Sequence, residues 1–483
     1  ENQVKVDLLS YVERLKVLRD RILNFVQDTQ PYDDLTSPSA VSDYLKHPVH
    51  AFQLIKRMTA GLGIVERQIG RTRGFDPLVN IEAMREKRQL PRDEDFTGLA
   101  TSLVTLQDTY ALDFHELTKG HLHTEIPRNR TIPGRLPLNA RDCVNLSQVA
   151  LHHRFFYGAV KWAEQAIAKA ADEEPPSIPI LKLDTHHELV INKYNEWVRT
   201  MGKVDEPKHK VPVQDRTKRS AEVMEYQNYK RLCRGELLRT PKMDSQLRCR
   251  YYKGQDGFFA LQPVKLEEVN LKPYIIVMHD VVQDRDIKDM IAFAEPRLQR
   301  SITYTIDKVP TPVRTSSQAW LGDDEAPVAN RMNEYVRALV GMGTSGSNYD
   351  AEPYQLANYG IGGQYLPHYD YLQDTLRANT SEYSVHHKAG DRVATLMIYM
   401  TDVEEGGATV FPKVGVRLTP RKGDAAFWWN LKSNGEGDKL TTHAGCPVLY
   451  GSKWIANKWF RFYSNVFRQP CCTDRNASIG PLV

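Results

Sequence analysis

Apolar residues recur at steps of three and four in the first stretch of the chain. Leu8, Tyr11, Leu15, Leu18, Ile22 and Phe25 stand among charged neighbours, which predicts a helix carrying a heptad seam. Fewer than three heptads make a weak coiled coil alone, so the seam implies a partner helix or packing on its own domain. A second apolar stripe follows Pro48 through Phe52, Ile55 and Met58, and helical patterning continues through Leu103, Leu106, Tyr110 and Leu112. The Pro/Gly-rich stretch 126–137 breaks the pattern and reads as a boundary. Residues 140–171 are helical and rich in small residues, with Ala150, Ala159, Ala163 and Ala166 interleaved with Phe155, Phe156, Tyr157 and Trp162. Ala at the crossing and aromatics on one face are what one tetratricopeptide-type hairpin needs, and no second copy follows about 34 residues on. Pro175, Pro176 and Pro179 interrupt, 187–201 offers one more short helix, and 203–220 is charged, Pro-interrupted and linker-like.

From about Cys233 the period changes. Strand-like runs bounded by Gly, Asn and Asp cover Tyr274–His279, Tyr354–Tyr359, 392–400, Ala425–Trp429 and 453–462, with one helical insert at Asp284–Ala294. Many short strands with tight turns at Gly406-Gly407 and Gly423-Asp424 predict a double-sheet jelly roll of the cupin kind. The fold class expected is therefore α+β and multidomain, with helical N-terminal and tetratricopeptide-like regions ahead of a double-stranded β-helix.

Composition adds limits. The 483 residues suggest about three domains. Lys and Arg number 64 against 60 Asp and Glu, and no dense basic block lies among aromatics, so nucleic acid is not the expected partner. No apolar run reaches the roughly 18 residues of a membrane span. The chain opens at Glu1 rather than Met, as a chain with its signal peptide removed, or a trimmed one, would. The six cysteines form no CxxC or zinc spacing. Either of two short loops, Cys233 to Cys249 or Cys446 to Cys471, would constrain the unfolded chain by roughly 3 kcal/mol if closed, and six buried thiols remain the alternative. Sequons at Asn129, Asn145, Asn379 and Asn476 permit glycosylation. These features lean toward the secretory pathway.

Candidate chemistry sits at His368-Tyr369-Asp370, after the glycine turn Gly362-Gly363. Residues two apart on a strand share a side, so His368 and Asp370 can share one metal. His443, before another extended run, supplies a third donor. Two imidazoles and a carboxylate on one face leave three positions open, as Fe(II) oxygenases require to bind a bidentate co-substrate and dioxygen together. Lys453, on the next extended segment, is a point charge suited to the distal carboxylate of 2-oxoglutarate.

The segments Asn358-Tyr359-Gly360, 362–370 (GGQYLPHYD), 392–395 (RVAT), 406–412 (GGATVFP) and 451–459 (GSKWIANKW) resemble the catalytic (alpha) subunit of collagen prolyl 4-hydroxylase. The likeness extends to 232–236 (LCRGE), 47–58 (HPVHAFQLIKRM) and 106–112 (LQDTYAL), and so spans nearly the whole chain. The resemblance implies hydroxylation of peptidyl-proline in collagen-like secreted polypeptides, coupled to decarboxylation of 2-oxoglutarate to succinate and CO2, with dioxygen as co-substrate and ascorbate rescuing oxidised iron. It implies His368, Asp370 and His443 as iron ligands. Lys453, Tyr359 and, at a position where the family carries histidine, Arg461 would lie on 2-oxoglutarate, and Tyr365, Arg392 and Trp459 would line the proline pocket. It further implies two intrachain disulfides, Cys233–Cys249 and Cys446–Cys471, and the endoplasmic reticulum lumen. The tail 479–483 is not a retention tetrapeptide. By resemblance, protein disulfide isomerase is the second subunit of an α2β2 assembly that the N-terminal seam helps to join. The expected division is 1–135 for dimerisation, 136–202 for peptide binding, 203–230 as linker and 231–483 for catalysis.

Three departures open alternatives. Arg461 replaces the family's histidine, Leu366 replaces an acidic residue, and the peptide-binding region lacks about one helical hairpin. An active prolyl hydroxylase on a non-collagen secreted protein, a catalytically weak subunit that binds or escorts collagen, and a lysyl hydroxylase are the competing readings. The last usually presents arginine where Lys453 stands.

Overall fold

The computed structural model describes residues 2–27, 35–70, 92–124, 129–201, 218–254, 257–301, 315–372, 388–466, 474, 477 and 479–480. Contacts divide the chain into two units, one of residues 1–124 and 130–208, the other of 125–129 and 209–483.

The first unit is helical. Its opening helix, Asn2–Gln27, carries the seam. The side chains of Leu8 and Tyr11 lie outside the described ones. Leu18, Ile22 and Phe25 are only partly exposed, and Phe25 packs beside Gly61, so this end of the seam turns toward its own chain. Val12, Leu15, Val17, Leu23 and Val26 are its exposed apolar positions among the described side chains. The helix Pro48–Lys56 buries Val49, Ala51 and Phe52, and Asp93–Tyr110 buries Leu103, Val104 and Leu106. At the stretch read as a boundary, β2 (Arg130–Ile132) pairs antiparallel with β1 (Leu122–Thr124), which precedes it.

The small-residue region forms helices Ala140–His152, Phe156–Asp172 and Ile180–Met201. Asn139 caps the first by accepting from Asp142 N, while Asp142 reaches back to the Asn139 amide. Ala150, Ala159, Ala163 and Ala166 are buried, which lets the first two helices approach closely. Trp162 is wholly buried, edge-on to Phe114, and belongs to the core rather than to an aromatic groove. The partly exposed aromatics are Phe156 and Tyr157 with Tyr194 and Trp197 of the third helix.

In the second unit, the helix Lys218–Cys233 occupies the end of the expected linker, and its Tyr229 is fully buried. The strands follow as β3 (Cys249–Tyr252), β4 (Val264–Leu271), β5 (Tyr274–His279), β6 (Gln299–Arg300), β7 (Ser317–Leu321), β8 (Tyr354–Tyr359) and β9 (Tyr365–His368). Then come β10 (Arg392–Tyr399), β11 (Glu405–Gly406), β12 (Thr409–Phe411), β13 (Val416–Leu418) and β14 (Ala425–Trp429). The last are β15 (His443–Gly445), β16 (Val448–Tyr450) and β17 (Lys453–Arg461). A nine-stranded sheet runs β3-β4-β5-β14-β10-β17-β8-β7-β6, and a four-stranded sheet runs β13-β12-β15-β9.

Central strands of the large sheet are apolar on both faces because both are covered. Ile276, Met278, Leu396 and Ile398 pack into a cluster with Ile287 and Met290 of the Asp284–Ala294 helix and with Met332 and Val336 of Pro327–Val340, a second helix the sequence reading did not separate. Ile275, Val277, Met397 and Tyr399 point the other way, into a cluster with Phe411, Val416 and Leu418 of the small sheet. Burying side chains of this size contributes roughly 1.5–3 kcal/mol each.

The disulfide expectation is corrected. Cys233 is bonded to Cys446, with a Cα–Cα distance of 5.5 Å and a sequence separation of 213. Cys249 is free and exposed, and Cys471 lies outside the described residues. The cause is the seating of the Lys218–Cys233 helix. Asn228 donates to the Pro412 carbonyl, Tyr229 donates to Gln364, and Lys413 pairs with Glu225. These contacts bring the helix end to the small sheet, whereas Cys249 lies on the edge strand of the large one. Of the sequons, Asn129 is exposed, and Asn145 sits in a helix whose Ser147 is fully buried. Asn379 and Asn476 are outside the described residues.

Candidate metal centre

Strands β9 and β15 pair antiparallel with His368 directly opposite His443. The turn before β9 requires glycine: Gly362 has φ +68, and a Cβ on Gly363 would stand 2.7 Å from the Gly360 carbonyl oxygen. The two imidazoles lie 4.3 Å apart between centroids. Asp370 completes the group, its carboxylate oxygens 3.9 Å from His368 Nε2 and 3.6 Å from His443 Nε2. One ligand atom from each of the three lies within 4.8 Å of the others, a single metal-competent cluster among the described residues.

The surroundings fix how these donors present themselves. His368 Nδ1 contacts the Leu366 carbonyl at 2.8 Å and His443 Nδ1 the Thr441 carbonyl at 3.0 Å. A carbonyl only accepts, so Nδ1 donates on each ring and Nε2 is the nitrogen turned toward Asp370. Tyr365 stacks on His368 at 3.4 Å, and Trp428 packs against His443 at 4.8 Å. Thr395 donates to Asp370 Oδ2 at 2.7 Å and accepts from Asn430 at 2.9 Å. Burial opposes ionisation of Asp370, but His443, His368, Arg392 and the Thr395 hydroxyl outweigh it and hold the carboxyl below its usual range. One carboxylate oxygen and two imidazole nitrogens on one face suit a divalent first-row cation with open positions.

Lys453 opens β17 opposite Tyr359 of β8. Its ammonium is buried, donates to Thr409 at 3.2 Å and lies 5.7 Å from the rings of both Tyr359 and Tyr399. The described residues bring it no carboxylate, and burial pushes its pKa down to about 7. A buried cation without a counter-ion is costly, and an anionic ligand would relieve that cost. Tyr359 is buried beside it.

The other end of β17 carries a different constellation. Arg392 grips Glu352 with Nε at 2.5 Å and Nη2 at 2.8 Å, and its Nη1 reaches the Asp370 carbonyl at 3.4 Å. Its guanidinium lies 3.8 Å over the Trp459 ring, and Trp320 approaches that indole at 6.1 Å. Arg461 also binds Glu352, at 2.9 Å, and donates to the Gly390 carbonyl at 2.9 Å. Arg392 and Trp459 thus gather near Asp370 and Tyr365 near His368, while Arg461 stands at the far end of the strand from Lys453. Sequence reasoning assigned no role to Thr395, Asn430, Glu352 or Trp320. Thr395 lies inside a motif segment, which was the available signal; the others carry none.

Comparison with known proteins places this geometry in context. Residues 1–124 match the model of the prolyl 4-hydroxylase alpha-subunit N-terminal region, and 354–461 match the 2OG-Fe(II) oxygenase superfamily. The chain is 34% identical to human prolyl 4-hydroxylase subunit alpha-1 over 96% of its own length and 91% of the relative's. It is 33% identical to chicken subunit alpha-2, covering 91% and 87%. A viral collagen prolyl hydroxylase from Paramecium bursaria Chlorella virus-1, solved with 2-oxoglutarate, is 27% identical over 39% of this chain and 95% of that one, with a TM-score of 0.30.

Proposed function

This chain belongs to the prolyl 4-hydroxylase alpha-subunit family, and on that footing we propose that His368, Asp370 and His443 hold the Fe(II), and Lys453 the 2-oxoglutarate, with which it hydroxylates peptidyl-proline. One observation carries the assignment: the three-donor cluster packs through His443 on Phe411 and Trp428, and the buried Lys453 ammonium lies by Tyr359 and Tyr399, four rings of one apolar cluster. Iron, when bound, supplies dioxygen activation coupled to decarboxylation of 2-oxoglutarate to succinate and CO2. The chain's own residues bind and orient. The Leu366 and Thr441 carbonyls keep both imidazoles in the ligating tautomer, and Thr395 aims the Asp370 carboxylate. Lys453 takes the distal carboxylate beside Tyr359, and Tyr365, Arg392 and Trp459 line the approach for the proline ring. Ascorbate, typical of the family, restores oxidised iron.

The two facing sheets are read as a double-stranded β-helix, and 136–202 as a shortened tetratricopeptide-like region between the dimerisation part, 1–135, and the catalytic part, 231–483. The half-exposed Phe156, Tyr157, Tyr194 and Trp197 suit a proline-rich chain in the polyproline II conformation. We propose collagen-like secreted polypeptides as substrates, the endoplasmic reticulum lumen as compartment and protein disulfide isomerase as second subunit of an α2β2 assembly. No described helix is long and apolar enough to cross a membrane. Three helices in the peptide-binding region, rather than a longer array, favour a second reading, an active hydroxylase on a shorter non-collagen substrate.

The test is mass spectrometry of 4-hydroxyproline in (Pro-Pro-Gly)-type peptides incubated with the protein, Fe(II) and 2-oxoglutarate. His368→Ala, Asp370→Ala and His443→Ala should each abolish the product, and near-normal activity in any of them would remove the metal assignment. Pull-down from the lumen should recover the isomerase; a soluble, active chain without it would refute the partnership.

A further inference from the structure

We infer that Arg461 is a positioning residue for the substrate proline, acting through Glu352 and Arg392, and that it does not hold 2-oxoglutarate. Strand β17 is nine residues long with Lys453 and Arg461 at its two ends, so their Cα atoms stand roughly 26 Å apart. Both terminal nitrogens of the Arg461 guanidinium are engaged, Nη2 by Glu352 and Nη1 by the Gly390 carbonyl. Its backbone amide is fixed as well, donating to Asp350 O at 2.8 Å.

Glu352 is the hub. Its carboxylate takes Arg392 through two nitrogens and Arg461 through one, and its amide donates to the Trp459 carbonyl at 2.9 Å. Two guanidiniums on one carboxylate constrain it from two sides, so Glu352 has one orientation in which both are served. That orientation sets Arg392, which covers the Trp459 indole and touches the Asp370 carbonyl. Asp391, the other carboxylate near the two arginines, accepts from the amides of Leu372 and Arg392, and burial raises its pKa. Trp459 is buried, its Nε1 has no hydrogen-bond partner among the described residues, and its ring is located by the stacked Arg392 together with Trp320. A short, neutral side chain at 461 would remove one of the two guanidiniums that hold Glu352.

The inference rests on Arg392 and Trp459 being walls of the proline pocket, and the experiment separates the two claims. Steady-state kinetics with a (Pro-Pro-Gly)-type peptide compare Arg461→Gln, Arg461→Lys, Glu352→Gln and Trp459→Ala. Arg461→Gln and Glu352→Gln should each raise the peptide KM roughly tenfold while the 2-oxoglutarate KM stays within about twofold. Arg461→Lys keeps a cation facing Glu352 and should recover part of the loss, which a general loss of folding would not predict. A raised 2-oxoglutarate KM with an unchanged peptide KM overturns the inference, as does a proportionate fall of every parameter with Tm. If Trp459→Ala leaves the peptide KM unchanged, the pocket reading fails; if it raises that KM while Arg461→Gln is silent, only the relay fails. Should Arg461→Gln not fold, Glu352→Gln and Arg461→Lys carry the same comparison.

Discussion

The Thr395 hydroxyl bridges Asn430 to the carboxylate of Asp370, accepting from the first at 2.9 Å and donating to the second at 2.7 Å. Valine has the same shape without the donor. Thr395→Val should therefore weaken Fe(II) binding roughly 10–100-fold and leave turnover at saturating iron largely intact. Metal titration followed by Co(II) absorption checks this; an unchanged affinity would show that Asp370 orients itself.

Lys453→Ala should raise the 2-oxoglutarate requirement and leave iron binding unaltered, and Lys453→Arg should recover little because the planar fork differs in shape from an ammonium. The pH dependence follows. An unfolded lysine holds its proton to about 10.5, whereas buried Lys453 releases it near 7. Between those values the unfolded chain binds more protons, so stability of the ligand-free protein rises with pH across that window. Affinity for 2-oxoglutarate moves oppositely, falling above about pH 7 as the ammonium is lost. Denaturation and binding curves from pH 6.5 to 9.5 test both signs, and a flat 2-oxoglutarate curve would refute the assignment.

Lys458, on the opposite face of the same strand, is fully buried, 3.9 Å from Asp323 and 4.4 Å from the centre of the Tyr354 ring. Burial lowers its pKa to about 8. Asp323 keeps partners in Asn333 and the Gly346 amide without it. Lys458→Met should raise stability at pH 7 by about 1 kcal/mol and flatten the rise toward alkaline pH. Thermal unfolding at two pH values measures it; a lowered Tm would mean that the long-range pair with Asp323 outweighs desolvation.

Non-reducing peptide mapping should yield a Cys233–Cys446 linked pair, with Cys249 alkylated without reduction. Cys446→Ser should cost roughly 2–4 kcal/mol of stability and loosen iron, because Cys446 directly follows the strand that begins at His443. Recovery of a Cys233–Cys249 pair would overturn the observed pairing.

Much of the catalytic unit was legible because its strands are short apolar runs closed by turn residues. Tyr274–His279, Tyr354–Tyr359 and Ala425–Trp429 begin and end where the pattern does, as does the helix Asp284–Ala294. The clustering of His368 and Asp370 was legible because they lie two residues apart on one segment. What stayed hidden depends on distant segments meeting. Cys233 and Cys446 are brought together by a helix seating on a sheet, which no local spacing encodes. The Glu352 hub joins residues from three segments, and the inward turn of Phe25 onto Gly61 is a tertiary choice between two faces of one helix.

His368 and His443 face each other across one ladder. Side chains alternate with period two, so a slip of a single residue in either strand would turn one imidazole out of the cavity. Substitutions around the ligands can be absorbed one at a time; a change of length cannot. Between the Gly362-Gly363 turn and His368, and from His443 to Cys446, the number of residues is therefore held more strictly than the identity of those that are neither ligand nor turn glycine. A one-residue insertion or deletion there would disarm the enzyme while leaving every metal-binding residue present in its sequence.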